Sequence, residues 1–361
     1  MNKQFKVLYK TSIMLIAIIA TLLIGSIILV TIDANVFKTY LVILTEPLKN
    51  KIQLTEVIIR AIPLSIIALG ITVAYRSGII NIGAEGQMAI GILTATAAAL
   101  TLYDIPRPFN IFIIVIAGML GGALWGFIPG ILKAKLKVSE LLSTVMLNYI
   151  AAQLYTFFLR GPMIDPAELT MGSGTPQSMR LDKAVWLNRL IKGTRLHSGI
   201  FFVFVLAILI YILLWKTSFG YKLRAAGASE KAARYGGIKV AFFVTISMVI
   251  SGAFAGIAGS VEVLGVHHRA IEGITSGYGF SGLVVALFGG LHPAGILPAS
   301  FFFGLLLVGS DMTQRIVGVP ANMVQVLEGI IILVIVAAQQ VMNDKYLMDK
   351  IWKKINKKEA K

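Results

Sequence analysis

Thr217–Lys239, TSFGYKLRAAGASEKAARYGGIK, separates two apolar runs, Phe201–Trp215 and Val240–Leu264. Taken as 198–216 and 240–264, these runs are of bilayer-crossing length, because a helical span needs about 20 apolar residues. The stretch between them carries six basic residues counting from Lys216. It is too polar for lipid and too short to be a domain, so it reads as a loop joining two membrane spans. Within it Glu230, Ala232, Ala233 and Gly236 follow the order E-x-A-A-x-x-G, a short amphipathic helix that another protein can grip.

The same reading extends over the rest of the 361 residues, which are 57% hydrophobic and 14% charged. Backbone groups in lipid must be satisfied internally, and the apolar runs show no strand-like alternation. The fold class is therefore all-α, a polytopic integral membrane protein in one domain over 1–361. Spans are predicted at 12–32, 57–75, 86–102, 111–132, 141–159, 198–216, 240–264, 276–290, 295–310 and 322–342, about ten in all. Those at 86–102, 276–290 and 295–310 are short or broken by Gly and Pro. The first follows Lys3, Lys6 and Lys10 and exceeds the apolar length of a signal peptide, so it reads as an uncleaved span.

Charge sets the orientation. With both termini in the cytoplasm, twenty of the 33 Lys and Arg fall on the cytoplasmic side, in the first ten residues, Arg76, 133–137, 216–239 and the basic tail 343–361. This accounts for the net charge of +16 without nucleic acid. The absence of cysteine excludes disulfides, thiol catalysis and Cys-type metal sites. Segment 160–197 is the one substantial extracytoplasmic loop. Pro162, Pro166, Gly172, Gly174 and Pro176 mark its turns. LDKAVWLNRLIK, 181–192, then predicts a short interfacial helix with Trp186 on its apolar side. The loop is either a plug for the bundle or a docking surface for an extracytoplasmic partner.

Four further features carry chemistry or packing. Arg76-Ser-Gly-Ile-Ile-Asn81-Ile-Gly83-Ala-Glu85-Gly86-Gln87 places glycines and amides around a carboxylate where one span ends and the next begins. Such a segment either lines a path or bends at the rim, and Glu85 needs a partner, Arg76 or a helix N-terminus. Arg60, near the outer end of its span, either snorkels outward, with Glu56 one turn away, or meets a buried acid. Gly118, Gly122, Gly126 and Gly130, with Gly252, Gly256 and Ser260, recur every four residues and read as close helix interfaces. In 277–298, His292-Pro293 divides two short apolar runs, the pattern of a discontinuous element near a pathway. His267, His268 and Glu272 are spaced poorly for one metal ion, and no metal or cofactor is expected. There is no P-loop, H-E-x-x-H, nucleophile elbow or TVGYG filter, and no chain of intramembrane carboxylates and histidines for a proton relay.

In Ser77–Met88, Glu140–Ile150, Arg224–Gly237, Ser251–Gly265 and Gly279–Gly289 followed by His292-Pro293, the chain resembles the permease subunits of bacterial ABC importers. The group is the one serving simple sugars, nucleosides and branched-chain amino acids. It most resembles the nucleoside permeases that work with basic-membrane-protein lipoproteins. The resemblance runs over most of 60–300. It implies that 224–237 is a coupling helix seated in an ATPase subunit, through Arg224, Gly227, Glu230, Ala232, Ala233, Arg234 and Gly236. It also implies a second homologous permease in a heterodimer and a substrate-binding lipoprotein outside the cytoplasmic membrane. Asn81, Glu85, Gln87, Asn148 and Phe280 become candidates for the translocation path. Ser229 and His292 stand where relatives often carry Asn, so roles are not transferred there. The expected function is a transport subunit, not an enzyme, passing a nucleoside; a simple sugar such as ribose or galactose is the alternative cargo. An ion-coupled secondary transporter is the rival mechanism.

Overall fold

Helices form wherever the chain is apolar, because a backbone surrounded by hydrocarbon has only itself to hydrogen-bond with. The computed structural model describes residues 3–320 except 173, with scattered positions from 323 to 349. Most of the expected span 322–342, most of the tail 343–361, and the side chains of Lys3, Lys6 and Lys10 lie outside the described residues. The helices are α1 (Lys3–Thr31), α2 (Val36–Lys49), α3 (Lys51–Arg76), α4 (Ala84–Thr101), α5 (Phe109–Leu136), α6 (Glu140–Arg160) and α7 (Pro166–Met171). They continue with α8 (Ile200–Lys216), α9 (Ser218–Ala228), α10 (Glu230–Tyr235), α11 (Val240–Glu262), α12 (Tyr278–Phe288) and α13 (Pro293–Val317).

Among the described residues six helices are long and apolar enough to cross a membrane, or seven if the bent pair α8–α9 counts as one span. The count of about ten also included α4 and α12. Glu85 and Gln87 make the first turn of α4 polar. Helix α12 has eleven residues, about 16 Å, and a hydrocarbon core is ~30 Å thick. Helix α2 was not foreseen: Lys38, Glu46, Pro47 and Lys49 hide its apolar stripe of Val42 and Ile43.

The chain forms two units, 1–54 with 305–361, and 55–304. In the first, α1 and α2 run back on each other. The Tyr40 hydroxyl donates to the Leu22 carbonyl at 2.9 Å, and fully buried Leu29 packs with Val319. In the second, α3 is enclosed, with 83% of its apolar window buried against 17% for α6. A helix apolar all round belongs in the middle of a bundle, and α3 is such a helix. Gly70 of α3 lies against Ser251 and Phe254 of α11, and α4, α5 and α11 join one another through the glycine repeats. A Cβ on Gly122 would lie on the Gly252 carbonyl, and one on Gly256 on the Gly118 carbonyl. The two helices therefore touch backbone to backbone, and close van der Waals packing holds them where lipid supplies no hydrophobic drive.

The stretch 181–192 is not a helix. Only Lys183–Val185 makes a single 3₁₀ turn, capped by Asp182. Leu181 and Leu187 instead donate their N–H groups to the carbonyls of His268 and Leu264, at 2.9 and 3.0 Å. Tertiary pairing thus overrides the local periodicity. Glu56 pairs with Arg195 of this loop at 2.5 Å.

Gly256→Leu is expected to abolish a monodisperse, protease-resistant permease in detergent, since the added side chain has only backbone to displace. Leu124→Ala on the exposed side of α5 is expected to leave the elution profile unchanged.

Candidate functional site

The loop between α8 and α11 folds as two short helices rather than one. Helix α9 turns 72° from α8, and Thr217 caps it by accepting from the Gly220 N–H at 3.0 Å. Gly220 at the bend permits this because its missing Cβ would meet the Leu213 carbonyl. Ser229, extended, ends α9 and caps α10 by accepting from the Ala232 N–H at 3.3 Å. Helix α9 turns Gly220, Leu223 and Ala226 inward, with Arg224 and Gly227 half-buried. In α10 only Ala233 is buried; Glu230, Ala232, Arg234, Tyr235 and Gly236 are exposed, and Glu230 and Arg234 pair at 2.6 Å. The order E-x-A-A-x-x-G thus presents a bare helical turn to the surroundings.

Gly227 joins this loop to the membrane body. A Cβ there would meet the Arg76 carbonyl and lie 2.7 Å from the Gly78 nitrogen. Gly78 itself has φ +85°, a left-handed turn that ends α3. The chain then runs without helix from Ser77 to Gly83 and begins α4. This strap is fastened to α11. The Ser77 hydroxyl lies 2.6 Å from that of Ser247, and the Asn81 amide donates to Ser251 at 2.8 Å. Asn81 also donates to Gln87 Oε1 at 2.8 Å and accepts from the Gly83 N–H at 2.9 Å. Both residues are buried, and their amides are taken up in closing the bend.

Glu85 lies one residue into α4. Its carboxylate accepts from the N–H groups of Gly277 and Gly279 at 3.1 and 2.7 Å, with the Thr275 hydroxyl bonding alongside. The free amides and dipole of α12 are thereby matched to a buried negative charge. The partner is the helix N-terminus and not Arg76, which donates to the Leu291 carbonyl at 2.9 Å and lies 5.4 Å over Trp215. His292 completes that aromatic cluster, 4.8 Å from Trp215. Asn148 braces the start of α4, donating to the Ile82 carbonyl at 3.0 Å and accepting from the Gly86 N–H at 2.9 Å.

Beside Glu85 opens a cavity of about 310 Å³, lined by Glu85, Asn148, Gln153, Tyr155, Thr156 and Glu272 among others. Two of the five candidate path residues, Glu85 and Asn148, therefore meet there. Phe280 stands apart from the lining, 47% exposed on α12. The sequence singles out Glu272 only beside His267 and His268, and does not single out Tyr155 or Thr156. The signal available for α6 was its polar positions Asn148, Gln153 and Thr156; for Glu272 there was none, since a loop carries it in. His267, His268 and Glu272 have separate surroundings: His267 faces Glu262 at 3.3 Å, His268 stacks on Trp186 with ring centroids 3.8 Å apart, and Glu272 meets the cavity.

The loop 160–197 is organised by Arg107, which donates to the carbonyls of Ala184 and Trp186 and, at 2.8 Å, to Asn188 Oδ1. Trp186 stacks on His268 and carries the Arg180 guanidinium 5.1 Å away. Burial pushes both His197 and His268 down to about 4, with His268 acting on the first and Arg189 on the second.

These are the parts of a permease: a bundle of apolar helices, an interrupted backbone beside a polar cavity, and an exposed helical turn. The chain belongs to the branched-chain amino acid transport system / permease component family, whose pattern matches residues 53–336. It is 33% identical to the guanosine ABC transporter permease NupP of Bacillus subtilis, over 94% of this chain and 96% of that protein. It is 34% identical to the nucleoside ABC transporter permease NupB of Lactococcus lactis, over 92% and 91%. The glucose ABC transporter permease TsgB13 of Haloferax volcanii is 30% identical over 90% and 86%. The permeases NupQ and NupC of the first two organisms match at 28% and 25%. No solved structure matches the chain significantly.

Glu85→Leu is expected to abolish transport by leaving the α12 amides unsatisfied, while Glu85→Gln, which offers a single neutral acceptor, retains a fraction; uptake assays on matched expression levels distinguish them. A second expectation concerns pH. Imidazoles held neutral in the folded loop gain protons on unfolding, so their stabilisation is complete above about pH 6.5 and is lost as pH falls toward 4. Protease cleavage within 160–197 should rise across that interval; a flat profile would contradict the buried neutral state.

Proposed function

We propose that this permease passes a nucleoside across the cytoplasmic membrane, as one of two permease subunits of an importer whose ATP is hydrolysed on a separate subunit. The observation that carries the reading is identity of 33–34% to guanosine and nucleoside permeases over more than nine-tenths of the chain. The cavity agrees in size, since about 310 Å³ lies at the small end of pockets that hold such ligands. A simple sugar is the second reading, favoured by the glucose permease relative. Guanosine and glucose share no ring system; what they have in common is vicinal hydroxyl groups.

Mechanism follows from the connection at Gly227. The ATPase grips α10 and the outer face of α9, with termini and loop in the cytoplasm. Movement of α9 displaces Arg76–Gly78, against which Gly227 is seated. The strap 77–83 carries that displacement to Glu85 and the N-terminus of α12, and the cavity changes the side to which it opens. The chain needs the ATPase for this because it holds no P-loop of its own. A lipoprotein delivers cargo to the outer loop, and the second permease completes the path.

Radiolabelled guanosine and ribose uptake in a strain lacking the natural importers tests the cargo; uptake that survives ATP depletion but collapses with an uncoupler would instead establish an ion-coupled carrier. Replacing Glu230 or Gly236 by Trp is expected to remove uptake and ATPase co-purification with insertion intact. Gly227→Leu is expected to keep co-purification and lose uptake, separating docking from transmission.

A further inference from the structure

The cavity beside Glu85 has an imbalance that cargo size does not explain: its hydroxyl donors, the Asn148 amide and the Glu85 acceptors are committed, and the Glu272 acceptors are not. The Asn148 amide is used at both ends, on Ile82 and Gly86. The Tyr155 hydroxyl donates to the Ile271 carbonyl at 3.1 Å, and the Thr156 hydroxyl to Glu272 at 3.2 Å. An ionised carboxylate offers about four acceptor positions. Glu85 has filled its own with Gly277, Gly279, Thr275 and the Phe280 amide. Among the described residues Glu272 has the long contact from Thr156 and an ion pair with exposed Arg160 at 3.4 Å. The open hydrogen-bonding capacity of the cavity is therefore the carboxylate of Glu272, with the Gln153 amide beside it.

Such a lining complements a neutral cargo with adjacent donors and repels one carrying phosphate. Two vicinal hydroxyls match the two oxygens of one carboxylate, each bond being charge-assisted. We infer that the cavity holds its cargo by a vicinal diol on Glu272 and leaves the base unread. This deepens the nucleoside reading and rests on it. It also supplies a reason for one scaffold to suit nucleosides and sugars: the selected element is the one they share. Glu272 is then a specificity-determining residue, with Glu85 holding the architecture behind it.

The test uses the intact importer with its own lipoprotein, comparing uptake of a ribonucleoside with that of its 2′,3′-dideoxy analogue in wild type, Glu272→Gln and Glu272→Asp. Because the lipoprotein is the same throughout, a change in the preference ratio originates in the permease. A folding defect lowers both uptakes and leaves the ratio unmoved. Glu272→Gln is expected to lower the preference for the diol about tenfold, the loss of one charged acceptor, and Glu272→Asp to restore part of it. An unchanged ratio with measurable uptake overturns the inference and spares the nucleoside reading. The same ratio is measured with ribose against 2-deoxyribose; import of none of these cargoes overturns both readings together.

Discussion

A backbone that leaves its helix inside an apolar body must find hydrogen-bond partners within the protein, and this constraint shapes the whole second unit. The chain breaks helix between α3 and α4, and again before α12. Side chains satisfy many of the amides and carbonyls so freed. Asn81 closes the first break on Gln87, Ser251 and Gly83. Asn148 reaches across from α6 to hold Ile82 and Gly86. Glu85 matches the exposed amides of α12 with a full negative charge. Asn81, Asn148 and Glu85 are thus replacements for missing helical bonds.

The constraint has a mechanical consequence. A strap held by a few side-chain bonds has discrete arrangements, whereas a continuous helix moves as one rod. The strap is wedged between the docking loop, through Gly227 on Arg76–Gly78, and the cavity, through Glu85. Its attachments to α11 are two serines four residues apart, Ser247 and Ser251. Beside them α5 and α11 meet backbone to backbone at Gly122, Gly126, Gly252 and Gly256, which leaves little room for one helix to shift on the other. In the mechanism proposed above, motion of loop 217–239 is concentrated in the seven residues 77–83.

Much of this was legible in the sequence, and the illegible parts have physical reasons. The glycine repeats announced the α5–α11 interface because a four-residue period of small residues has few other uses in lipid. The basic island 217–239 announced its loop, since charge cannot rest in hydrocarbon. The need of Glu85 for a helix N-terminus or Arg76 was visible, but the choice between them depends on where α12 begins in space. Asn81 and Gln87 are path candidates because polarity in a span suggests function or repair, and in this structure their bonds close the bend. The segment 181–192 had helical periodicity, yet its N–H groups found carbonyls on the chain after α11 instead. Glu272 was invisible as a cavity residue because a loop brings it there, and loops carry no period to read.

The central claim is that the strap moves against α11 when the docking loop is driven. The chain has no cysteine, so Ser77→Cys with Ser247→Cys creates one defined pair at hydroxyls now 2.6 Å apart. Uptake is then measured in the assembled importer before and after oxidation, and again after reduction. The expected result is loss of uptake on oxidation, with the ATPase still bound, and recovery on reduction. Undiminished uptake by the cross-linked protein would contradict the account.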